Sequence, residues 1–413
     1  MTSCTVLPVA SGLHGADAIA ALLERMEPLL RAAGAAIAER VETADTEQPL
    51  AVLLLTGGSE AAAMAAWRAR QQLVPGEPLL LLAHAAHNSL PAALETLARL
   101  RRDGARGRIL ILRPEANGVA AKELRNAIHD AAVWHALHRA RVGILGEPSE
   151  WLLASVPDPT AVLRRWGTRI VPLPIDPAMD RFDDNIDAPI AEPVRLRARR
   201  TAGEPHAADV ETAGRFEPVL REVAEQHQLD AITVRCFDLV TSAHTSGCLA
   251  LAALNDRGLV AGCEGDVCAT MTMLWARQLT GHIGWMANPA MINLDSGVIE
   301  LAHCTVPLSL VDSYELRTHF ESGLGVGIAG ALPAGPVTVL RLGGDELEKL
   351  WVADGEALPT PSRPGRCRTQ LDVRIEPAAA AGLLADPLGN HLVMIAGHHA
   401  QECTRWWKEL IAD

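Results

Sequence analysis

The sequence predicts an α/β protein in which two doubly wound parallel-sheet domains precede a β-rich one. Three observations carry that prediction. Short apolar bursts alternate with longer stretches of helical spacing over the first 140 residues, and the alternation restarts at about residue 141. After about residue 284 glycine, proline and short β-branched runs take over, the texture of an antiparallel sheet or barrel. The 413-residue chain also exceeds what one ordinary core holds.

In the first region, CTVLPVA reads as a strand, and ADAIAALLERMEPLLRAAGAAI has apolar positions at helical spacing. LAVLLLTGG is a strand ending in a glycine turn, with the alanine-rich helix SEAAAMAAWRARQQL after it. PLLLLAH, the helix SLPAALETLARLRRDG, the strand RILILRP and the helix GVAAKELRNAIHDAAVWHALHRA complete a first domain over residues 1–140. The second domain, 141–283, opens with ARVGILGEPSEWLLAS and TRIVPLPI. It continues through a helix near FEPVLREVAEQHQL, the strand DAITVRC and the helix around GCLALAALNDRG. Within it, the polar and basic RLRARRTAGEPHAADVET reads as an exposed excursion. GVIELAHCTVPL, PVTVLRL, TQLDVRI and HLVMIAG are strands of the third domain, 284–413, which the amphipathic AQECTRWWKELI closes.

Composition narrows the partners. Lys and Arg number 37 against 50 Asp and Glu, a formal charge of −13, so neither nucleic acid nor an anionic membrane is an expected partner. MTSCTVLPVASGLHGAD lacks the basic start and long apolar run of a signal peptide, and a cytoplasmic location is expected. The eight cysteines lie mostly in apolar sequence, as buried thiols do in a reducing compartment. Cys263 and Cys268 are spaced like half a zinc site, but no second matching pair follows. No P-loop and no GxGxxG appears, which leaves nucleotide cofactors without a motif.

In open parallel sheets the ligand crevice lies beyond the carboxyl ends of the strands. Five turns here carry polar residues at such ends: TGGSE, HAAHNS with His87 and Asn88, GEPSE, CFDL and CEGD. In TGGSE, Ser59 is as well suited to cap a helix as to touch a ligand. CEGD stands out because it sets Glu264 and Asp266 between a buried strand and a buried helix. Asp266 can equally cap that helix. Later candidates are Asn288, Asn293 and Asp295 in MANPAMINLDSG, His303 in ELAHCTVPL, His319, and His391 in GNHLVMIAG. A lone histidine beside an apolar run is more often a satisfied structural group. Carboxylates with one or two imidazoles would suit Mn²⁺ or Mg²⁺.

CEGDVCATMTMLWARQLTG resembles the strand–turn–helix of the L-fucose isomerase and L-arabinose isomerase superfamily. LLLTGGSE, LLAHAAHNSLPAALETLARLR, GILGEPSEWLLAS, RCFDLV and GNHLVMIAGHHAQECTRWWKELI resemble further elements of its fucose-isomerase-like branch, so the likeness runs along most of the chain. The resemblance implies two Rossmann-like domains and a C-terminal domain containing a β-barrel. It implies a Mn²⁺-dependent aldose–ketose isomerase acting through a cis-enediol on a deoxysugar, pentose or sugar-like metabolite. Glu264 matches the first acidic ligand and general base, and His391 the late histidine ligand. His303 and Asp266 fall among the expected substrate contacts. The family's active sites form between protomers, which implies a homotrimer or homohexamer with His87 and Asn88 reaching a neighbour's cleft.

The sequence departs from the family at its second acid. Where the motif has a carboxylate, GWMANPAM offers Ala287 or Asn288, and Asp295 is the nearest acid downstream. Asn288 is therefore expected as an amide metal ligand and substrate contact, Asp295 as a catalytic substitute or a plain turn residue, and the metal as weakly bound. A lyase that reuses the enediolate-stabilising site is the alternative chemistry. A non-catalytic sugar-binding protein is the third reading.

Overall fold

The computed structural model describes residues 3–184, 199–200 and 204–412. The chain separates into two compact units, Met1–Leu137 with Trp406–Asp413, and His138–Arg405.

The first unit is built on a parallel sheet of β1 (Cys4–Val9), β2 (Ala35–Ile37), β3 (Leu50–Leu54), β4 (Leu79–Ala83) and β5 (Gly107–Ile111), in the order β2-β1-β3-β4-β5. Every residue of β3 and β4 is buried, as a parallel sheet covered on both faces requires. Alternate side chains serve opposite cores. Leu53, Leu80 and Leu82 meet Leu30 and Leu124 on one face, while Val52, Leu54 and Leu81 meet Ala63 and Leu97 on the other. One segment differs from the sequence reading. The helix over Ala16–Ala32 stops before AAI, because Gly34 takes φ 82° and turns the chain into the edge strand β2. Three short alanine-rich residues carry no strand signal of their own; the edge of β1 supplies it.

The second unit holds a four-stranded parallel sheet, a closed barrel and a three-stranded sheet. Strands β6 (Arg141–Leu145), β7 (Arg169–Leu173), β9 (Ala231–Val234) and β10 (Val260–Cys263) form the parallel sheet in the order β10-β9-β6-β7. The barrel runs β11-β12-β17-β16-β15-β18, antiparallel throughout, from β11 (Trp285–Asn293), β12 (Val298–His303), β15 (Gly335–Gly343), β16 (Lys349–Leu358), β17 (Thr369–Ile375) and β18 (Leu392–Ala396). The third sheet joins β8 (Arg199–Arg200), β13 (Ser313–Arg317) and β14 (Gly327–Ala331) in the order β14-β13-β8. The barrel is filled by Trp285, Ile299, Leu301, Val339, Leu371, Val373 and Leu392. Residues two apart share this core, as Ile299 with Leu301, Val337 with Val339 and Leu371 with Val373 do, so the short β-branched runs read as strands are barrel strands. The expected α/β class with two parallel sheets and a C-terminal barrel is what the chain adopts.

Two loop readings change. CFDL is the start of a short helix, Cys236–Ser242, rather than a turn. Ser59 sits at the N-cap position of the helix Glu60–Leu73, but its hydroxyl donates to Thr56 O at 2.6 Å and makes no side-chain cap. Of the excursion read over 195–212, residues 195–198 and 201–203 lie outside the described residues. Its end forms the helix Ala207–Gly214, which buries Val210 and Ala213.

Candidate active site

Three neighbouring strands of the second unit deliver their carboxyl-end loops to one place. After β10 the chain turns through Glu264 and Gly265, both left-handed at φ 65° and 78°, before Asp266 starts the helix Val267–Thr280. The loop after β6 packs onto this turn. Ser149 N–H donates to Glu264 O at 2.9 Å, and a Cβ on Gly265 would lie 2.7 Å from Pro148 Cα. Only glycine fits there. Glu264 itself holds a conformation that non-glycine residues seldom adopt, a feature that clusters at functional sites. The same loop brings Trp151, whose Nε1–H donates to Glu264 Oε2 at 2.6 Å. The segment after β9 brings Phe237, edge-on to Trp151 with ring centroids 4.9 Å apart.

The barrel supplies two imidazoles. His391, just before β18, is fully buried, with Nε2 3.5 Å from Glu264 Oε1. His303, the last residue of β12, has Nε2 3.9 Å from the same oxygen. The two rings meet edge to face at 5.4 Å.

Asp266 does two jobs at once. One oxygen accepts from Ala269 N at 2.7 Å, the expected helix cap. The other accepts from His391 Nδ1 at 2.9 Å. Behind both stands Arg341 of β15, a residue that no motif in the sequence announces. Its Nη1 lies 3.2 Å from Asp266 Oδ2, and it also donates to His391 O, Leu388 O and Ser155 Oγ. Arg341 and Asp266 are both fully buried, so each is the other's counter-charge.

These contacts set the protonation states. Burial pushes the Glu264 carboxyl up, but His391, His303 and the Trp151 hydrogen bond outweigh it and hold it down at about 2. Asp266 is likewise raised by burial, then brought to about 2 by Arg341, His391 and the Ala269 N–H. Burial lowers His391, yet the two carboxylates carry it up to about 9. Burial and the neighbouring His391 take His303 down to about 3, against the pull of Glu264. His303 is therefore neutral at pH 7. Its Nδ1 accepts from Thr305 N at 3.2 Å, which leaves the proton on Nε2, the nitrogen turned towards Glu264.

His391 Nε2 and Asn288 Oδ1 are among the polar atoms of this region that are buried without a hydrogen-bond partner, with Ser149 Oγ and Thr305 Oγ1. Ala287 pairs with Leu392 across β11 and β18, so one step further along the two strands sets Asn288 level with His391. A hydrogen-bonded carboxylate behind one imidazole nitrogen, with the other nitrogen open, is the arrangement that orients a metal-ligating histidine. The carboxylate of Glu264 and the imidazole of His391, with the amide of Asn288 level with His391, are donor types that suit a hard divalent cation. Cys263 Sγ, Glu264 and His303 also offer donor atoms within 4.8 Å of one another. The thiol suits a hard cation poorly, and it already contacts Cys236 Sγ at 3.0 Å.

The remaining expected residues lie elsewhere or act differently. Asp295 is exposed in the β11–β12 turn, where its N–H donates to Asn293 Oδ1 at 3.0 Å; it shares none of the contacts that join Glu264 to the imidazoles. The turn reading describes its place. Asp266, expected at the substrate, has its oxygens taken by Ala269, Arg341 and His391 and no exposed surface. His87 and Asn88 belong to the first unit, exposed after β4 with φ 53° and 56°. Of the tryptophans in GEPSEW, MTMLW and GHIGW, Trp151 reaches the site, whereas Trp275 and Trp285 are buried.

No family model matches the chain. Curated relatives named sulfoquinovose isomerase do. That of Alkalicoccus urumqiensis is 26% identical over 168 residues, 38% of this chain and 37% of the relative. That of Clostridium sp. (strain MSTE9) is 24% identical over 308 residues, 72% of this chain and 67% of the relative. That of Priestia aryabhattai is 22% identical over 247 residues, 55% of this chain and 53% of the relative. The chain thus aligns with little more than a third of the first relative's length. Together the matches make it a distant homologue of sulfoquinovose isomerases, consistent with the L-fucose isomerase and L-arabinose isomerase superfamily that its motifs resemble.

Proposed function

We propose that the protein is a divalent-metal-dependent aldose–ketose isomerase acting on a sulfosugar or a closely similar anionic aldose through a cis-enediol. The observation that carries this reading is the open His391 Nε2, held by Asp266 and facing the Glu264 carboxylate, with Asn288 Oδ1 equally open. The names of the relatives supply the substrate class. Glu264, His391 and Asn288 would hold the cation, Mn²⁺ by donor chemistry. When bound, such an ion supplies electrophilic stabilisation of charge developing on the sugar oxygens. Glu264, ionised at neutral pH, takes the proton α to the carbonyl and returns it to the neighbouring carbon. That transfer needs a carboxylate within about 3 Å of both carbons. Neutral His303 donates its Nε2–H to a sugar oxygen and steadies the enediol. Asp266 and Arg341 position His391. An assembly of three or six copies in the cytoplasm, with His87 and Asn88 completing a neighbour's site, belongs to the same proposal. Light scattering showing a monomer at working concentration would remove the shared site from it.

The test is incubation with Mn²⁺ and a 6-sulfonated aldohexose in D₂O, followed by NMR. Ketose formation with deuterium at the carbon next to the carbonyl, lost with chelator, is the expected result. Fragments of the carbon skeleton would instead identify a lyase, and unchanged sugar would remove the isomerase reading.

A further inference from the structure

Resting on that reading, we propose that Arg368 is the specificity-determining residue that anchors the anionic end of the substrate. It lies immediately before β17, whose first residue, Thr369, pairs with His303. Its guanidinium is pinned from one side. Nε donates to Thr318 O at 2.7 Å and Nη2 to Thr318 Oγ1 at 3.1 Å, while Cζ sits 5.7 Å from the Phe320 ring centroid. Among the described residues none accepts a bond from Nη1. Among the described residues no carboxylate forms an ion pair with Arg368. The nearby Glu204 is already committed to Arg317 at 2.8 Å and to Thr318 Oγ1 at 2.6 Å. Arg368 is thus half-buried and oriented, and it shares the field of Glu204 with Arg317 without bonding that carboxylate itself. Its free edge has the fork geometry that receives an oxyanion.

The surroundings connect this arginine to the chemistry. It lines a cavity of about 480 Å³ with Arg317, Tyr314, Thr360, Ser362 and Gln370, so that two guanidiniums face one carboxylate there, Glu315. From Glu264 a wall of rings leads towards it. Trp151 bonds Glu264, Phe237 lies edge-on to Trp151, and His319 lies edge-on to Phe237 at 5.7 Å. His319 follows Thr318, the residue that pins Arg368. Burial lowers the His319 imidazole, the Glu264 carboxylate pulls it up and the Arg368 guanidinium pushes it down, so His319 senses both ends of the wall. An open-chain aldose with its reacting carbons at Glu264 would point its far end along these rings. A sulfonate there meets Arg368. A phosphate at the same carbon shares the chemistry, so the test separates the two.

Calorimetry on the Mn²⁺-loaded full chain would compare a 6-sulfonated aldohexose, its 6-phosphorylated counterpart and the neutral 6-deoxy sugar. The wild type should bind the sulfonated sugar about 10–100-fold more tightly than the neutral one, the range of a charged hydrogen-bonded contact. In Arg368→Met that ratio should fall to about one, and Arg368→Lys should keep part of it. A phosphorylated sugar that binds more tightly than the sulfonated one, with the same dependence on Arg368, would retain the anchor and change its anion. If Arg368→Met fails to fold, sodium sulfate added to wild type decides: it should weaken binding of the sulfonated sugar and leave the neutral sugar unaffected. Discrimination that survives Arg368→Met, no discrimination in wild type, or no competition by sulfate would each overturn the anchor. Binding without turnover of any sugar would overturn the isomerase reading alone.

Discussion

Each unit buries an arginine, a carboxylate and a histidine in contact, and the two sets behave differently. In the first unit Glu77 accepts from Arg70, from His135 Nε2 at 2.7 Å and from Leu50 N at 3.1 Å, while Arg70 also donates to Asp45 O and Gln48 O. No polar atom of that triad is buried without a partner. In the second unit Arg341, Asp266 and His391 are just as dry, but the set ends on an open His391 Nε2 in front of Glu264. Composition and burial are nearly the same. The first set is closed; the second leaves His391 Nε2 without a hydrogen bond, 3.5 Å from Glu264 Oε1, and the proposed chemistry rests on that atom.

Substitutions can break this comparison, and the largest effect should come from Glu264→Gln. It keeps the shape and removes the base, so kcat should fall about 10²–10⁴-fold in protein that is still folded at the assay temperature. Activity near wild type would return the CEGD turn to a structural role. Next come Asp266→Asn and Glu77→Gln, each of which leaves a buried arginine without its counter-charge. Both should cost about 3–5 kcal/mol in denaturant unfolding. Only Asp266→Asn should also weaken Mn²⁺ binding, by about 10–100-fold, because it loosens His391. Equal metal affinity in the two variants would show that the networks are alike after all.

Asn288→Asp sharpens the comparison from the other side by adding a charge to the open set. Calorimetry should show Mn²⁺ bound about tenfold more tightly. No gain would mean that Asn288 is not a ligand. The smallest effect concerns acid. Burial pushes the Glu77 carboxyl up, but His135 and Arg70 outweigh it and hold it below the ordinary 4.5. A depressed carboxyl contributes stability that is present above 4.5 and lost as the pH falls below it. The first unit should therefore lose stability on acidification below that value. Glu77→Gln should show a shallower loss over the same interval; an unchanged acid profile would take Glu77 out of the explanation.

Much of this was legible in the sequence. Alternation of apolar bursts with helical spacing gave both parallel sheets, and β-branched runs gave strands of the barrel. The pairing of Glu264 with His391 followed from the resemblance of CEGD and GNH, 127 positions apart. Arg341 was not legible: an arginine inside VTVLRL looks like an outward-facing strand residue, and only closure of the barrel places it under Asp266. β2 was hidden because its pairing with β1, not its composition, makes it a strand. Asp295 drew attention as the nearest acid in sequence, yet a hairpin turn sends it to solvent. Distance along the chain measured its candidacy poorly.

The left-handed backbone at Glu264 has a consequence for how the protein can change. A non-glycine residue in this conformation carries a local cost of roughly 1 kcal/mol that glycine or asparagine would relieve. Chemistry and backbone preference are therefore opposed at one position. On the proposed function, a descendant freed from the need to turn over sugar could relieve that backbone cost by replacing Glu264 with glycine, and in doing so would discard the base in a single step. If Glu264 is the base proposed above, the identity of this one residue distinguishes a working enzyme from a retired copy.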